Sequence, residues 1–199
     1  ACLVGSEMCI RDRSKTNEHA KKVVEEWANA TWFTEKTDIK EQIKLTVYKV
    51  TGEINTDDLS PAPDAWSRPD IPLHALAMFK MPRTGLDDPL GTIEKLKEKG
   101  NPLVFVGDVV GTGSSRKSAT NSVLWHMGDE IPYIPNKKEG GYCFGGKIAP
   151  IFFNTLEDSG AFPIEMDVSK MLMGQEIILE PLNGRVLDAN TKEVISEFE

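Results

Sequence analysis

Cysteine is scarce in this sequence, and its spacing shows no metal-binding pattern. The 199 residues include only three cysteines, Cys2, Cys9 and Cys143. An odd number of cysteines without C-x-x-C spacing argues against a disulfide framework, and against a zinc or iron–sulfur site made by this chain alone. The three histidines lie far apart without metal-ligand spacing. We therefore expect this chain to hold no metal of its own.

Excess positive charge and long apolar runs are also lacking. Lys and Arg number 23 against 31 Asp and Glu, which gives a formal net charge of −8. This balance disfavours non-specific nucleic-acid binding, which needs clustered cations, but it leaves room for a local basic pocket that binds a small anion. No apolar run approaches the ~20 residues of a transmembrane helix. We expect no membrane contact and a cytoplasmic location.

The first 13 residues match no structural pattern. They have neither the basic n-region nor the long apolar h-region of a signal peptide, and they resemble a translated sequencing adapter. We therefore expect residues 1–13 to be a non-native segment outside the fold. The chain as a whole has 40% hydrophobic and 27% charged residues, which is ordinary for a globular protein.

Apolar spacing predicts an amphipathic helix ahead of the main domain. Residues 17–32 place small and apolar side chains on one face: Ala20, Val23, Val24, Trp27, Ala28 and Thr31. Ser14 and Thr16 are candidate N-caps for this helix. Because so wide a stripe needs a packing partner, it faces either the body of this domain or a preceding domain outside this chain.

Strands and helices alternate along the rest of the chain, which predicts an α/β domain. The predicted strands are 43–50, 103–110, 131–134, 162–166, 176–180 and 194–198, and the predicted helices lie around 73–77, 93–96, 119–127 and 148–156. The segments 51–68 and 136–146 are predicted to be loops. The run 103–110 is almost continuously apolar, as expected for a strand buried on both faces of a sheet.

The most informative local pattern is the glycine turn Gly111–Arg116 between that strand and the following helix. Glycines let the backbone turn sharply near a ligand, and a helix N-terminus exposes N–H groups and partial positive charge. With two hydroxyls, Ser114 and Ser115, and the Arg116 guanidinium, the turn predicts a carboxylate or phosphate site. It is neither a P-loop nor a dinucleotide fingerprint. The alternative is that Ser114 only caps the helix and Arg116 is solvated.

The motif Asn55–Pro61 is the second candidate, because it contains the adjacent acids Asp57 and Asp58. Acidic residues among Asn, Thr and Ser often simply cap turns by bonding nearby backbone N–H groups. Both interpretations stay open for this motif. Arg68, which comes just before Pro69, is likewise either a ligand-binding or a surface arginine.

Three separated segments, in this order, resemble the swivel domain of the aconitase superfamily. They are Asn55-Thr56-Asp57-Asp58-Leu59-Ser60-Pro61-Ala62, Gly111-Thr112-Gly113-Ser114-Ser115-Arg116 and Ile148-Ala149-Pro150-Ile151-Phe152-Phe153-Asn154. The fuller runs Thr51–Pro72 and Val106–Phe153 are similar to the bacterial-type aconitate hydratase B subfamily. The resemblance implies a swivelling β/β/α domain over 39–199, like the small subunit of isopropylmalate isomerase. Residues 14–38 would then be a remnant of a preceding helical domain and its linker.

The resemblance also implies a reaction and a role for each candidate residue. The family's enzymes interconvert citrate and isocitrate through cis-aconitate, with a [4Fe-4S] cluster as Lewis acid. Ser114 would match the serine that, as an alkoxide, takes a proton from the substrate carbon. Ser114 would also belong to the substrate-binding set, in which Ser115, Arg116 and Arg68 would bind substrate carboxylates. Because the cluster cysteines have no counterpart here, the cluster would belong to domains outside this chain, and the chain alone is expected to be inactive.

Two other functions remain as alternatives. The first is a free small subunit of isopropylmalate isomerase, which is a similar domain that works with a separate large subunit. The second is an anion- or RNA-binding regulatory module, since some aconitases bind RNA when the cluster is lost. The Trp66-Ser67-Arg68 run and the upstream helix favour the aconitase prediction, and the charge of −8 disfavours RNA. The substrate 2-methylisocitrate is an alternative to citrate.

Overall fold

The structure, a computed structural model, describes residues 12–35, 39–131 and 134–199. Its contacts divide the chain between Ile39 and Lys40. Most of the segment predicted to be non-native, residues 1–11, lies outside the described residues. Over the described ranges, no helix is long and apolar enough to cross a membrane.

The predicted helix of the first unit is present but is interrupted. Helix α1 spans Glu18–Ala28 and helix α2 spans Thr31–Thr34. Ala30, between them, has a left-handed backbone with φ of 51°, which ends the first helix. The prediction of Ser14 or Thr16 as the N-cap is wrong, because the Asn17 side chain accepts the hydrogen bond from the Ala20 N–H at 3.1 Å.

The second unit contains the strands and the remaining helices. Its strands are β1 Ile43–Asn55, β2 Leu103–Thr112, β3 Asp129–Ile131, β4 Ile134–Glu139, β5 Tyr142–Ile148, β6 Phe162–Glu165, β7 Glu176–Glu180, β8 Arg185–Asp188 and β9 Val194–Glu197. Its α-helices are α3 Thr56–Leu59, α4 Ile71–Ala75, α5 Pro89–Lys97, α6 Arg116–Met127 and α7 Pro150–Asp158. Short 3₁₀ helices span Ala62–Ala65 and Pro181–Asn183.

A mixed sheet organises this unit, which confirms the α/β prediction. In the described part of the chain the sheet has seven strands in the order β6-β5-β2-β1-β7-β8-β9. Strands β1, β2, β5 and β6 are parallel neighbours, whereas β7, β8 and β9 pair antiparallel. Because β1 and β2 are parallel, their carboxyl ends meet at one edge of the sheet, and the loops after them become neighbours.

The central strands are buried on both faces, as the apolar run in β2 predicts. Alternate residues of β2 point to opposite faces: Phe105 joins one hydrophobic cluster, and Val104 and Val106 join the other. Strand β1 behaves in the same way, since Tyr48 and Leu45 belong to different clusters. Burial on both faces holds these two strands rigidly and therefore fixes the loops that follow them.

The prediction of one long loop over 51–68 is wrong. Strand β1 continues through Gly52, which has φ of 77°, with a register shift between Val50 and Glu53. The bulge breaks the alternation of apolar and polar residues, so the sequence pattern stops before the strand does. Helix α3 and a 3₁₀ helix occupy much of the remainder.

The prediction of a loop over 136–146 is also wrong, because this segment contains most of β4 and part of the internal strand β5. Gly140 and Gly141, with φ of 70° and 85°, turn the chain between the two strands. Within β5, a Cβ on Gly146 would lie 2.7 Å from the Asp108 carbonyl oxygen, so close packing requires glycine there. The predicted strand 131–134 includes 132 and 133, which lie outside the described residues.

Candidate functional site

The two candidate motifs lie side by side at the carboxyl edge of the parallel strands. Asn55, the last residue of β1, is paired with Thr112, the last residue of β2. The Thr112 hydroxyl donates to Glu53 Oε1 at 2.7 Å. The sheet therefore brings the turn after β1 against the glycine loop after β2.

Hydrogen bonds join the two motifs directly. The Ser115 N–H donates to Thr56 Oγ1 at 3.2 Å, and the Ser115 hydroxyl donates to Asp57 Oδ1 at 3.3 Å. A Cβ on Gly113 would lie 2.5 Å from Thr56 Oγ1 and 2.7 Å from Asn55 Oδ1, and its φ is 112°. Glycine is required at Gly113 both for this close approach and for its backbone angle.

The turn after β1 caps a helix, as the structural interpretation expects, and it also holds the glycine loop. Asn55 Oδ1 accepts from the Asp57 N–H at 2.9 Å, and Asp58 Oδ2 accepts from the Asn55 N–H at 2.8 Å. This reciprocal pair is a capping box. The Asp57 carboxylate is not used in the cap and instead accepts from Ser115.

Helix α6 begins at the glycine loop with an open N-terminus. Its N-cap is Ser115, whose side chain makes no capping bond because its hydroxyl is turned to Asp57. The alternative that Ser114 only caps the helix is therefore wrong. The Ser114 side chain is exposed. The first-turn N–H groups of a 12-residue helix concentrate partial positive charge at this end.

A cavity of about 480 Å³ opens at this helix end. The residues that line it are Ser114, Ser115, Arg116, Lys117, Ser118, Ile151 and Thr155. Over the described residues, neither the Ser114 hydroxyl nor the Arg116 guanidinium has a hydrogen-bond or ion-pair partner. A hydroxyl, a guanidinium and a helix N-terminus that share one cavity form an arrangement suited to a carboxylate or phosphate.

Arg68 does not line that cavity. It lines another, of about 450 Å³, together with Lys80 and Arg83. Its guanidinium lies 3.5 Å from the Asp64 carboxylate and donates to the Leu73 carbonyl at 3.1 Å. Lys80 is the closer partner of Asp64, at 2.8 Å, and this hydrogen bond holds the pKa of the carboxyl below its usual range.

Sequence reasoning did not single out two of the residues that shape the site. Thr56 lies inside a recognised motif, but its bond to a backbone N–H 59 positions away depends on the register of the sheet. Arg83, which bonds Asp58 at 3.3 Å, lies in a turn-rich segment that carries no motif. Only the fold could identify these two contacts.

The described residues do not fit an iron–sulfur cluster. Such clusters are held by several thiolates, whereas Cys143 is fully buried and burial raises the pKa of its thiol to about 12. No group of three or more His, Cys, Asp and Glu suited to a metal occurs in the described ranges. Cys143 is therefore a core residue. His126 is also buried, and it contacts the Ala75 carbonyl oxygen at 3.0 Å.

The fold and this edge of the sheet define the class of protein: a swivel-type α/β domain with a glycine loop and an open helix N-terminus after a central parallel strand. The family model described as Aconitate hydratase 2 N-terminus matches residues 45–199, and the chain belongs to that family. This confirms the resemblance that the three sequence motifs indicate.

Named relatives of the chain are bacterial enzymes. The chain is 59% identical over 198 residues to Aconitate hydratase B of Escherichia coli (strain K12). It is 53% identical over 196 residues to Aconitate hydratase B of Helicobacter pylori (strain J99). The alignments cover 96% and 98% of this chain but only 23% and 22% of those relatives. The chain therefore spans less than a quarter of the length of these relatives.

A solved structure of lower sequence identity has the same fold. The 3-isopropylmalate dehydratase of Methanocaldococcus jannaschii matches with a TM-score of 0.56, over 79% of this chain and 83% of that one. The sequences are 19% identical, so the match shows a shared fold and no more. It confirms the prediction of a domain like the small subunit of isopropylmalate isomerase.

Proposed function

We propose that this chain is the swivel domain of an aconitate hydratase of the B type, where it binds substrate carboxylates and removes a substrate proton. The observation that carries the proposal is the open end of α6, where the Ser114 hydroxyl and the Arg116 guanidinium line one cavity without a partner among the described residues. Its partners would be citrate, isocitrate and cis-aconitate, and the remaining domains of the same polypeptide in the cytoplasm.

Arg116 and Ser115 are assigned to carboxylate binding. A guanidinium presents two parallel N–H donors that match the two oxygens of a carboxylate. The Ser115 hydroxyl would donate to a substrate carboxylate after turning from Asp57, while the Ser115 N–H keeps its bond to Thr56. The partial positive charge of the helix end adds to the attraction for an anion.

Ser114 is assigned to the proton transfer. A serine hydroxyl is a poor base unless its alkoxide is stabilised, and the helix N-terminus with the neighbouring Arg116 and Lys117 supplies positive charge for that purpose. The Ser114 alkoxide would take the proton from the substrate carbon and become a hydroxyl, and the reverse transfer would restore it. Its exposure leaves it accessible to a substrate in the cavity.

Arg68 is assigned to a second carboxylate of the substrate. To reach it, the guanidinium must leave Asp64 and the Leu73 carbonyl. The cost of leaving is small, because Lys80 remains 2.8 Å from Asp64 and keeps that carboxylate paired. Arg68 is therefore available for a ligand without leaving a buried charge alone.

We assign the iron–sulfur cluster of this family to domains outside this chain, because Cys143 and its surroundings do not fit it. When bound there, a [4Fe-4S] cluster supplies a Lewis acid. The roles proposed for this chain are confined to carboxylate binding and the proton. We accordingly expect the chain alone to be inactive with citrate.

A chimeric enzyme tests the proposal. Residues 40–199 of this chain would replace the matching segment of Aconitate hydratase B of Escherichia coli, to which the chain is 59% identical. The chimera is expected to interconvert citrate and isocitrate, and to be slow with 3-isopropylmalate. A folded, cluster-loaded chimera that is inactive with citrate would contradict the proposal, and a preference for 3-isopropylmalate would favour the isopropylmalate isomerase function instead.

A further inference from the structure

Arg83 lies in the turn between α4 and α5 and makes more contacts than a loop arginine usually does. Its Nη2 donates to the Thr51 carbonyl at 2.8 Å and also to the Glu53 carbonyl. Its Nη1 donates to Asp58 Oδ2 at 3.3 Å. The Arg83 side chain is 20% exposed, whereas the two residues whose carbonyls it binds are exposed. A single guanidinium thus binds three groups of one short segment.

That segment is the irregular end of β1. The register of β1 against β2 shifts between Val50 and Glu53, around the bulge at Gly52. On the other side of β1, strand β7 pairs only with Ile43–Thr46. The second half of β1 therefore lacks β7 as a neighbour, and Arg83 supplies donors to two of its carbonyls.

A second residue, Phe79, also bonds to Asp58. The Phe79 N–H donates to the Asp58 carbonyl at 2.7 Å, although Phe79 has a left-handed backbone with φ of 56°. The Phe79 ring stacks on Phe105 at 6.3 Å and lies 6.0 Å from the Arg83 guanidinium. A bulky residue adopts positive φ only where its surroundings enforce it, so Arg83 and Phe79 form a rigid support for Asp58.

The support continues into the anion-binding loop. The Asp58 carboxylate accepts from the Asn55 N–H. The two residues between them, Thr56 and Asp57, accept hydrogen bonds from the Ser115 N–H and hydroxyl. Arg83 therefore binds this turn at Asp58. Thr56 and Asp57 of the same turn orient Ser115, the N-cap of α6.

We propose that Arg83 is a positioning residue for the anion-binding loop: it fixes the end of β1 so that Thr56 and Asp57 hold Ser115 in place. The catalytic part of this inference rests on the proposed function, whereas the positioning part concerns the chain itself. Without Arg83, the bulged end of β1 loses three of its bonds, and the loop loses its fixed support.

Amide hydrogen exchange of the full chain tests the positioning part. In Arg83→Ala, the Ser115 amide is expected to exchange about tenfold faster, as for loss of one ordinary hydrogen bond. In Arg83→Lys the amide is expected to stay fast, because an ammonium cannot bond Asp58 and both carbonyls together. Unchanged exchange in Arg83→Ala, or full restoration by lysine, would overturn the proposal.

Arg185→Ala is the matched control. Arg185 also pairs with a carboxylate, that of Glu180, but at the antiparallel end of the sheet. This variant is expected to lose global stability in denaturant unfolding while the Ser115 amide keeps its protection at native conditions. Faster Ser115 exchange in this control as well would mean that any loss of stability loosens the loop, and the proposal would fail.

The chimeric enzyme tests the catalytic part. Arg83→Ala in the chimera is expected to lower kcat/KM for citrate about tenfold to 100-fold, the range expected when a catalytic group is misplaced. Arg185→Ala is expected to leave kcat/KM unchanged. If exchange at Ser115 rises but kcat/KM does not fall, the catalytic part is overturned. If the unsubstituted chimera is inactive, the proposed function fails, and hydrogen exchange alone decides whether Arg83 positions the loop.

Discussion

The parallel and antiparallel halves of the sheet use their polar residues differently. In the parallel half, the turns after β1 and β2 bond to each other through Ser115, Thr56 and Asp57. In the antiparallel half, Glu180 accepts hydrogen bonds from three side chains of its own neighbourhood, Gln42, Asn183 and Arg185. In the described ranges, the Ser114 hydroxyl and the Arg116 guanidinium beside this network have no partner, whereas the Glu180 carboxylate accepts three hydrogen bonds.

The difference teaches where function and stability reside in this fold. Crossover connections bring sequence-distant loops to the carboxyl edge of parallel strands, and ligand sites form at that edge. Hairpins join β7, β8 and β9 locally, and the Arg185–Glu180 ion pair links the adjoining ends of β7 and β8. Substitutions in the two halves should therefore separate activity from stability.

Gly113→Ala should displace the glycine loop of the parallel half. Its Cβ would meet Thr56 Oγ1 at 2.5 Å, so the loop must move. In the chimeric enzyme we expect kcat/KM for citrate to fall on the order of 100-fold.

The matched control is Gly184→Ala, in the antiparallel half. There the Cβ would meet the Phe198 carbonyl at 2.4 Å, at φ of 62°. We expect this variant to lose about 1–3 kcal/mol of unfolding free energy in denaturant, with kcat/KM unchanged while it is folded. The comparison would be contradicted if Gly184→Ala lowered kcat/KM in the folded enzyme while Gly113→Ala left it unchanged.

Arg116→Ala should remove binding without removing stability. The guanidinium has no protein partner in the described ranges, so the unfolding free energy should change little. We expect kcat/KM to fall about 10- to 100-fold, as for loss of a hydrogen bond to a charged group. Kinetics of the chimera with citrate, together with its unfolding midpoint, would check both halves of the prediction. Normal turnover would show that Arg116 does not bind the substrate.

Glu180→Gln should weaken the antiparallel half in a defined pH range. Hydrogen bonds from Asn183, Arg185 and Gln42 hold the pKa of Glu180 at about 2, well below its usual 4.5. The charged form thus stabilises the fold above pH 4.5, and that contribution is lost as the pH falls from 4.5 toward 2. Denaturant unfolding across this range should show a steeper loss of stability in the unsubstituted chain than in the variant. Equal slopes of unfolding free energy against pH in the two chains would contradict the lowered pKa of Glu180.

His126→Gln should give the smallest effect, near neutral pH. Burial lowers the pKa of His126 below its usual 6.5, so the fold favours the neutral ring. Stability from this residue is complete above pH 6.5 and is lost as the pH falls below it. The unsubstituted chain should lose unfolding free energy on acidification below pH 6.5, and the variant should lose less. The same slope of stability against pH in both chains would show that the pKa of His126 does not change on folding.

Much of the fold follows from local patterns, and the site follows from them only in part. A continuous apolar run predicts β2, apolar spacing predicts α6, and the glycine turn predicts a loop between them. Strand β5 escapes prediction because Gly145 and Gly146 give it the composition of a loop, although its packing against Asp108 requires glycine. The bonds of Thr56 and Arg83 escape because they depend on strand register and on contacts between distant segments, which no local pattern encodes.

Ser114→Ala in the chimeric enzyme tests the central claim most directly. If the Ser114 oxygen takes the substrate proton, kcat should fall by several orders of magnitude while KM for citrate changes little, since Arg116 and Ser115 still bind the carboxylate. Steady-state rates with citrate and isocitrate, at matched cluster content, would measure both parameters. A raised KM with unchanged kcat would contradict the account, because Ser114 would then be a binding residue only.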